Sequence, residues 1–133
     1  MNYWLVKSEP VKYPFEQLVA DGETIWDGVR NYAARNNLRA MKKGDLVLYY
    51  HSNEGLCIVG TAKVSKEAFQ DPGTNEDWSA VCLKPFKKFK TPVTLAQLKA
   101  DKRFATFELI RLSRLSVAKV TPAEFDWILT MGN

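Results

Sequence analysis

Residues 45–55 read Asp45-Leu46-Val47-Leu48-Tyr49-Tyr50-His51-Ser52-Asn53-Glu54-Gly55, which is a strand followed by a turn. The strand is rich in aliphatic and aromatic residues, and Asn53-Glu54-Gly55 has the composition of a tight turn. A second strand is expected over residues 56–64. Because a turn this short joins antiparallel strands, the pair predicts a hairpin within a largely antiparallel sheet.

Further strands and helices are predicted on both sides of this hairpin. Thr94 with Gln97, and Thr121 with Glu124, match the capping box that begins a helix. In residues 30–41, apolar side chains recur at helical spacing. The remaining predictions are strands at residues 3–7, 78–89 and within 107–117, and helices at residues 15–20, from Thr94 to about residue 100, and after Thr121.

The order of these elements favours an α+β fold. About five or six strands and about four short helices are expected, and the strands in the middle of the chain are connected by short turns. Such a chain favours a curved sheet or a small barrel. The length of 133 residues suits one domain over residues 1–133, because no linker, repeat or low-complexity segment interrupts the chain.

The charged residues are distributed unevenly, although the net charge is only +4. Residues 30–43 contain no acid and hold Arg30, Arg35, Arg39, Lys42 and Lys43. Residues 84–90 form a second cluster of lysines. Cations grouped in this way can follow a phosphate backbone, so the first cluster supplies the candidate phosphate contacts. The alternative is a solvated helix face that contacts only water.

Several classes of site are absent from the sequence. It lacks a nucleophile elbow, a phosphate-binding loop and a Gly-rich dinucleotide fingerprint, so no cofactor is expected. His51 is the single histidine, and with Cys57 and Cys82 it makes no zinc site of familiar spacing, so no metal is expected. Both cysteines lie in apolar strands, where reduced and buried thiols are expected.

Two further absences bear on location. No run of about 18 apolar residues occurs, so we expect no membrane span and no membrane partner. Residues 1–7 resemble a strand and lack the basic leader and cleavage site of a signal peptide. We therefore expect a cytoplasmic protein, or a nuclear one in a eukaryote, and we expect it to be a monomer.

Two tryptophans stand in polar, turn-rich surroundings. Trp26 precedes Asp27-Gly28-Val29-Arg30-Asn31, and Trp78 follows Asp71-Pro72-Gly73-Thr74-Asn75-Glu76-Asp77. A core tryptophan normally has apolar neighbours, so we place these two at the mouth of a pocket, with Trp26 as the first candidate for its wall. An indole there can stack on a planar ring such as a nucleobase. The alternative for each is burial in the core.

Polar side chains near these tryptophans complete a candidate base-binding pocket. They come from the end of the first strand (Lys7, Ser8 and Glu9), from the segment after Trp26 (Val29, Arg30 and Asn31) and from the end of the hairpin strand (Tyr50, His51 and Ser52). Glu9 can accept a hydrogen bond from an exocyclic amine. Structural roles stay open as alternatives, because Ser8 and Glu9 can satisfy a turn, Asn31 can cap a helix and His51 can be a buried spacer.

Motifs over nearly the whole chain resemble those of the EVE domain family. They are Tyr3-Trp4-Leu5-Val6-Lys7-Ser8-Glu9-Pro10, Trp26-Asp27-Gly28-Val29-Arg30-Asn31-Tyr32-Ala33-Ala34-Arg35-Asn36, Gly44-Asp45, Tyr49-Tyr50-His51-Ser52-Asn53, Glu67-Ala68-Phe69-Gln70-Asp71-Pro72, Trp78, Pro92-Val93-Thr94-Leu95 and Arg114-Leu115-Ser116-Val117. The resemblance implies a PUA-like fold, in which short helices flank a small mixed β-barrel. It relates the chain to YTH domains, which hold methylated adenine in an aromatic cage. It also implies a partner, namely DNA or RNA that carries a modified base.

The residues and the resemblance together give the hypothesis of a non-enzymatic module that takes a methylated or hydroxymethylated base into an aromatic pocket. Moving that base out of its stack costs roughly a few kcal/mol, which stacking and hydrogen bonds to the base edge must offset. One alternative is an amidohydrolase of the PUA-like ASCH type that acts on a modified nucleoside, with Lys7 and Glu9 as an acid–base pair. Another is an adaptor that binds protein through the basic face.

Overall fold

A computed structural model describes residues 1–133 as a mixed six-stranded sheet flanked by helices. The strands are β1 (Tyr3–Ser8), β2 (Thr24–Trp26), β3 (Leu46–His51), β4 (Cys57–Gln70), β5 (Ser79–Thr94) and β6 (Val117–Val120). The α-helices are α1 (Phe15–Asp21), α2 (Tyr32–Ala40), α3 (Leu95–Ala100), α4 (Glu108–Arg111) and α5 (Pro122–Gly132), with one 3₁₀ turn at Lys102–Phe104. No helix is both long enough and apolar enough to cross a membrane.

The strands lie in the order β2-β5-β4-β3-β1-β6. Neighbouring strands are antiparallel except β1 and β3, which pair in parallel over their full length. The long β4–β5 pairing changes register at several points, and such irregularities bend a sheet. The α+β class and the mixed, curved sheet are therefore confirmed. Since no ladder joins β2 to β6, the sheet does not close into the barrel that the resemblance implied.

Buried apolar side chains lie on both faces of the sheet. One face packs against α1 and α2, with Phe15 and Leu38 among its members, and the other packs against α3, α4 and α5. Successive side chains of a strand point to opposite faces, so Tyr49 of β3 enters the first core and Tyr50 the second. Trp26 packs against the first core, which places it on the same face as Tyr49.

Local sequence signals account for several helix and strand ends. The β3–β4 hairpin and both capping boxes form as predicted, with Thr94 and Thr121 each accepting from a backbone N–H of its helix. The helix predicted from residue 30 begins at Tyr32, because the Asn31 side chain accepts from the Ala34 N–H and caps it. Asn31 thus takes the capping role that its sequence context allowed.

Two expectations about local structure need correction, and one strand was missed. Residues 108–111 form the helix α4, and the strand expected within residues 107–117 starts only at Val117. A short apolar run does not distinguish a helix from a strand, which explains the error. Strand β2 was not predicted, because only three residues form it. The free thiols of Cys57 and Cys82 are half-buried rather than buried.

Candidate functional site

A cleft of about 500 Å³ opens where the ends of β1 and β2 approach each other. Its walls include the turn after β1, the β2 strand and the loop that leads to α2. The cleft brings together six residues of the predicted pocket, which are Lys7, Ser8, Glu9, Trp26, Val29 and Arg30. It also includes Lys12, Tyr13, Thr24, Ile25, Asp27, Gly28 and Ser116, which the sequence analysis did not assign to a site.

Trp26 forms an aromatic wall of this cleft. It is the last residue of β2, opposite Val81 of β5, and its ring is half-buried. The indole makes edge contacts with Tyr49 and Tyr13, at centroid distances of 5.5 Å and 6.4 Å. Perpendicular ring contacts of this kind hold the indole in place. Trp26 is therefore a supported ring on the border of an open cavity.

Tyr49 and Ser8 fix the backbone beneath the indole. The Tyr49 hydroxyl and Ser8 Oγ both donate to the Tyr13 carbonyl oxygen, at 2.7 Å and 2.8 Å. Burial raises the pKa of Tyr49 well above its usual range, so this phenol stays protonated and remains a donor. The hydrogen bond to the Tyr13 carbonyl uses the hydroxyl proton of Ser8, so in this arrangement Ser8 can only accept a hydrogen bond from a ligand.

Lys7 and Glu9 also line the cleft, and each is bound to another part of the chain. Lys7 Nζ donates to the Ser113 carbonyl oxygen at 2.7 Å, and burial lowers the pKa of this amine. Glu9 forms an ion pair with Lys12 at 2.9 Å and also accepts from the Asn53 amide. The structure therefore brings Lys7 and Glu9 to one cleft without pairing them with each other.

Asp27 is a carboxylate that faces the cleft from the loop after Trp26. It is exposed, and none of the ion pairs in the chain includes it. A carboxylate with free lone pairs can accept from a ligand N–H group. The sequence analysis named Asp27 only as a polar neighbour of Trp26 and gave it no role in the site.

Asp71 holds the loop that carries Gly28 and Arg30. Its side chain is only 1% exposed and accepts from the Gly28 N–H and Arg30 Nη1, each at 2.9 Å, and from the Gly73 N–H at 2.7 Å. Burial alone would raise the pKa of Asp71, but these hydrogen bonds and the Arg30 charge outweigh it and hold the pKa below its ordinary value. Gly28 has a φ of +75°, a conformation that side chains with a Cβ rarely adopt.

Five residues of the predicted pocket do not line this cleft. Asn31 caps α2, and His51 is buried with its Nε2 accepting from the Phe15 N–H at 3.1 Å. Tyr50 and Ser52 line a second cavity of about 440 Å³. Trp78 is half-buried outside the cleft, with the ring of Tyr32 stacked on it.

The predicted phosphate-binding residues are spread along α2 and beyond its end. Arg30 reaches the cleft, whereas Arg35 and Arg39 both pair with Asp77, at 3.4 Å and 2.5 Å. Lys42 and Lys43 follow the helix and are exposed. No three His, Cys, Asp or Glu side chains come together as metal ligands would.

His51 predicts a pH-dependent stability. Burial lowers the pKa of His51 from its ordinary value of about 6.5, while the nearby Glu16 opposes that effect. The unfolded chain then binds a proton more readily than the folded chain, so the free energy of unfolding falls as the pH drops below about 6.5. Urea unfolding at pH 7.0, 6.0 and 5.5 should show this loss in the wild type, with a slope of at most about 1.4 kcal/mol per pH unit.

A His51→Gln variant is the control, because glutamine keeps an acceptor for the Phe15 N–H and does not titrate. Its free energy of unfolding should change little over the same pH range. Equal pH slopes for the wild type and this variant would contradict the assignment of a buried, neutral His51.

Comparison with known proteins shows which family the chain resembles. The family model described as EVE domain matches residues 2–131 of the chain. Human thymocyte nuclear protein 1 is 36% identical over 165 aligned positions, which cover 98% of this chain and 73% of the human protein. A solved structure from Agrobacterium tumefaciens is 41% identical, covers 100% of this chain and 94% of its own, and has a TM-score of 0.97.

Two further solved structures resemble the chain. The human THYN1 protein, solved in complex with 5-methylcytosine-containing DNA, is 35% identical, with 100% and 98% of the two chains covered and a TM-score of 0.92. A mutant ASCH protein from Zymomonas mobilis superposes with a TM-score of 0.62 and is 12% identical, with 100% of both chains covered. At that identity the second likeness shows a shared fold and nothing about activity.

Proposed function

The chain belongs to the EVE domain family, and we propose that it binds DNA carrying a modified base by taking that base into the cleft beside Trp26. The observation that carries the proposal is the cleft itself, whose volume of about 500 Å³ lies within the range of ligand pockets, roughly 300–1,000 Å³. The human relative in complex with 5-methylcytosine-containing DNA supports the choice of 5-methylcytosine as the first base to test.

The chemistry of the cleft suits a flipped cytosine. The Trp26 indole offers a face for stacking, which contributes roughly 1–3 kcal/mol per base. The Asp27 carboxylate can accept from the exocyclic amine of cytosine, which is a donor on the base edge. Val29 contributes apolar surface to the same cleft, and we assign it the contact with the 5-methyl group. Stacking and edge contacts together can offset an extrusion cost of about a few kcal/mol.

The backbone of the bound strand would pass over the basic side of the cleft. Arg30 lies at its border and is held by Asp71, so this guanidinium is positioned before any ligand arrives. We propose that Arg30 contacts the phosphate of the flipped nucleotide. We further propose that Arg35, Arg39, Lys42 and Lys43 add contacts that do not depend on sequence.

Titration of labelled duplexes tests the proposal. Otherwise identical duplexes carry one central cytosine, 5-methylcytosine, 5-hydroxymethylcytosine or N6-methyladenine, and the dissociation constants are measured at fixed salt, because phosphate contacts depend strongly on salt. We expect a modified cytosine to bind more tightly than cytosine by about 1–3 kcal/mol, the discrimination that one small apolar group provides. Equal weak binding to all four duplexes would reject the proposal.

An enzymatic role is the competing hypothesis. In an amidohydrolase, Lys7 and Glu9 would act on one another or on a shared substrate, yet each is bound to a different partner in this structure. We therefore propose binding without turnover. Incubation with N4-acetylcytidine should leave the nucleoside intact, whereas turnover that is lost in Glu9→Gln would favour the enzyme.

State and location complete the proposal. One copy of the chain supplies a cleft with aromatic, acidic and basic side chains, and we propose that a monomer binds one modified base. The human relative is by name a nuclear protein, which supports the nucleus as the site of action of eukaryotic members.

A further inference from the structure

An exposed aromatic ring, that of Tyr32, lies outside the cleft. Tyr32, the first residue of α2, is 68% exposed, and its ring stacks on Trp78 at a centroid distance of 5.3 Å and an interplanar angle of 19°. The Tyr32 ring therefore packs on Trp78 and still keeps most of its surface open to solvent. We call Tyr32 and Trp78 together the aromatic platform.

Two guanidinium groups support the platform. The Arg35 guanidinium lies 5.0 Å from the centroid of Tyr32 and 5.8 Å from that of Trp78, and the Arg30 guanidinium lies 5.6 Å from that of Trp78. A cation over an aromatic face is attracted to the ring. Each arginine also pairs with an acidic residue, Arg30 with Asp71 and Arg35 with Asp77. The Tyr32 ring is therefore packed against Trp78 and the Arg35 guanidinium.

Arg30 connects the platform to the cleft. Arg30 lines the cleft, and its guanidinium also approaches the Trp78 ring, so one arginine lies next to both the cleft and the platform. When a nucleotide leaves its stack, the faces of its neighbouring bases lose contacts. An aromatic ring beside basic side chains is the chemistry that stacks on a base without regard to sequence.

We propose that Tyr32 stacks on a base that neighbours the modified nucleotide held in the cleft. This inference rests on the proposed function and adds a second aromatic contact to the same strand. Because every base has a flat face, the contact raises affinity for a strand without contributing to recognition of the modification. Asp27 and Val29 in the cleft would then determine which base is chosen, and Tyr32 would determine how firmly the flanking strand is held.

A thermodynamic cycle tests the proposal. Single-stranded nonamers carry a central 5-methylcytosine, with both neighbouring bases present or with one neighbour replaced by an abasic site on the 5′ or the 3′ side. Wild type should lose about fivefold in affinity at one of the two abasic positions, which corresponds to the lower end of measured base stacking on aromatic residues. Tyr32→Ala should lose about fivefold on the intact nonamer and nothing further at that abasic position, because interacting partners are not additive.

Control variants separate a stacking role from a general loss of binding. Tyr32→Phe keeps the ring and should bind as the wild type does. Phe86→Ala removes another exposed aromatic ring that also carries a cation, Lys63 at 4.6 Å, but lies away from the cleft, and it should leave affinity unchanged. Preference for 5-methylcytosine over cytosine should be the same in Tyr32→Ala as in the wild type.

Two results would overturn the inference. One is a Tyr32→Ala variant that binds the intact nonamer as tightly as the wild type. The other is a loss in Tyr32→Ala that simply adds to the losses from both the 5′ and the 3′ abasic site, because independent losses at both positions mean that the ring touches neither neighbouring base. Failure of the proposed function looks different, since the wild type itself would then show no preference for 5-methylcytosine.

Discussion

Trp26→Ala is expected to weaken binding of a duplex with one 5-methylcytosine by about 5- to 150-fold, and this is the largest effect on binding that the structure predicts. The indole is the aromatic wall of the cleft, and alanine leaves no face on which the base can stack. Preference for the methylated duplex over the plain duplex should disappear in the same variant. Fluorescence anisotropy with both duplexes measures the two effects together.

Two controls accompany this variant. Trp26→Phe retains a ring and should keep part of the affinity and part of the preference. Trp127 is also half-buried, but it packs against the second core, so Trp127→Phe should leave binding unchanged. If Trp26→Ala bound the methylated duplex with the affinity of the wild type, the base would not be held against this indole.

Asp71→Ala should give the largest loss of stability among variants of the site, about 2–3 kcal/mol in the free energy of unfolding. The carboxylate is buried and accepts from two backbone N–H groups and from Arg30. Removing it leaves those donors without a partner, and hydrogen bonds to a charged group contribute about 1.5–3 kcal/mol each. We expect a total loss well below the sum of three such bonds, because the Arg30 side chain is 41% exposed and can turn to water.

Chemical denaturation with urea measures the stability effect, and Asp126→Ala serves as the control, because that carboxylate is exposed on α5 and belongs to no ion pair. Asp71→Ala should also weaken binding of the methylated duplex, since Gly28 and Arg30 lose their anchor at the cleft. An Asp71→Ala variant as stable as Asp126→Ala would contradict the role assigned to this carboxylate.

The Asp71 contribution also has a predictable pH dependence. Its pKa is lower in the folded chain than in the unfolded chain, so the unfolded chain binds the proton more readily as the solution becomes acidic. The stabilisation is therefore complete above about pH 4, the ordinary pKa range of aspartate, and is lost as the pH falls through the folded pKa. Asp71→Ala should lack this part of the acid sensitivity.

Much of the fold was predictable because its signals are local. The turn at Asn53-Glu54-Gly55 produces the β3–β4 hairpin, and two capping boxes begin α3 and α5. The openness of the sheet was not predictable, because it depends on how bulges bend β4 and β5 relative to the short edge strands. Pairing of β2 with β5 likewise depends on contacts distant in sequence and on only three residues.

The candidate site was likewise predictable where its signals are local in sequence, and it was not predictable where it depends on residues far apart in the chain. Trp26, with its polar neighbours in sequence, does line a cleft, and Lys7, Ser8 and Glu9 meet it from β1. Asp71 was missed as an anchor because its partners are 41 and 43 residues away, although its position before Pro72-Gly73 is a turn signal. Trp78 has similar sequence surroundings to Trp26, yet tertiary packing places it beneath Tyr32 instead of in the cleft.

A crystal structure of the protein with a duplex containing one 5-methylcytosine would show directly whether the modified base enters the Trp26 cleft. Our account predicts that the methylated cytosine is turned out of the duplex, lies flat against the Trp26 indole and directs its exocyclic amine to Asp27. A 5-methylcytosine that stays paired within the duplex, or a base bound at another surface while the Trp26 cleft holds only solvent, would contradict the account.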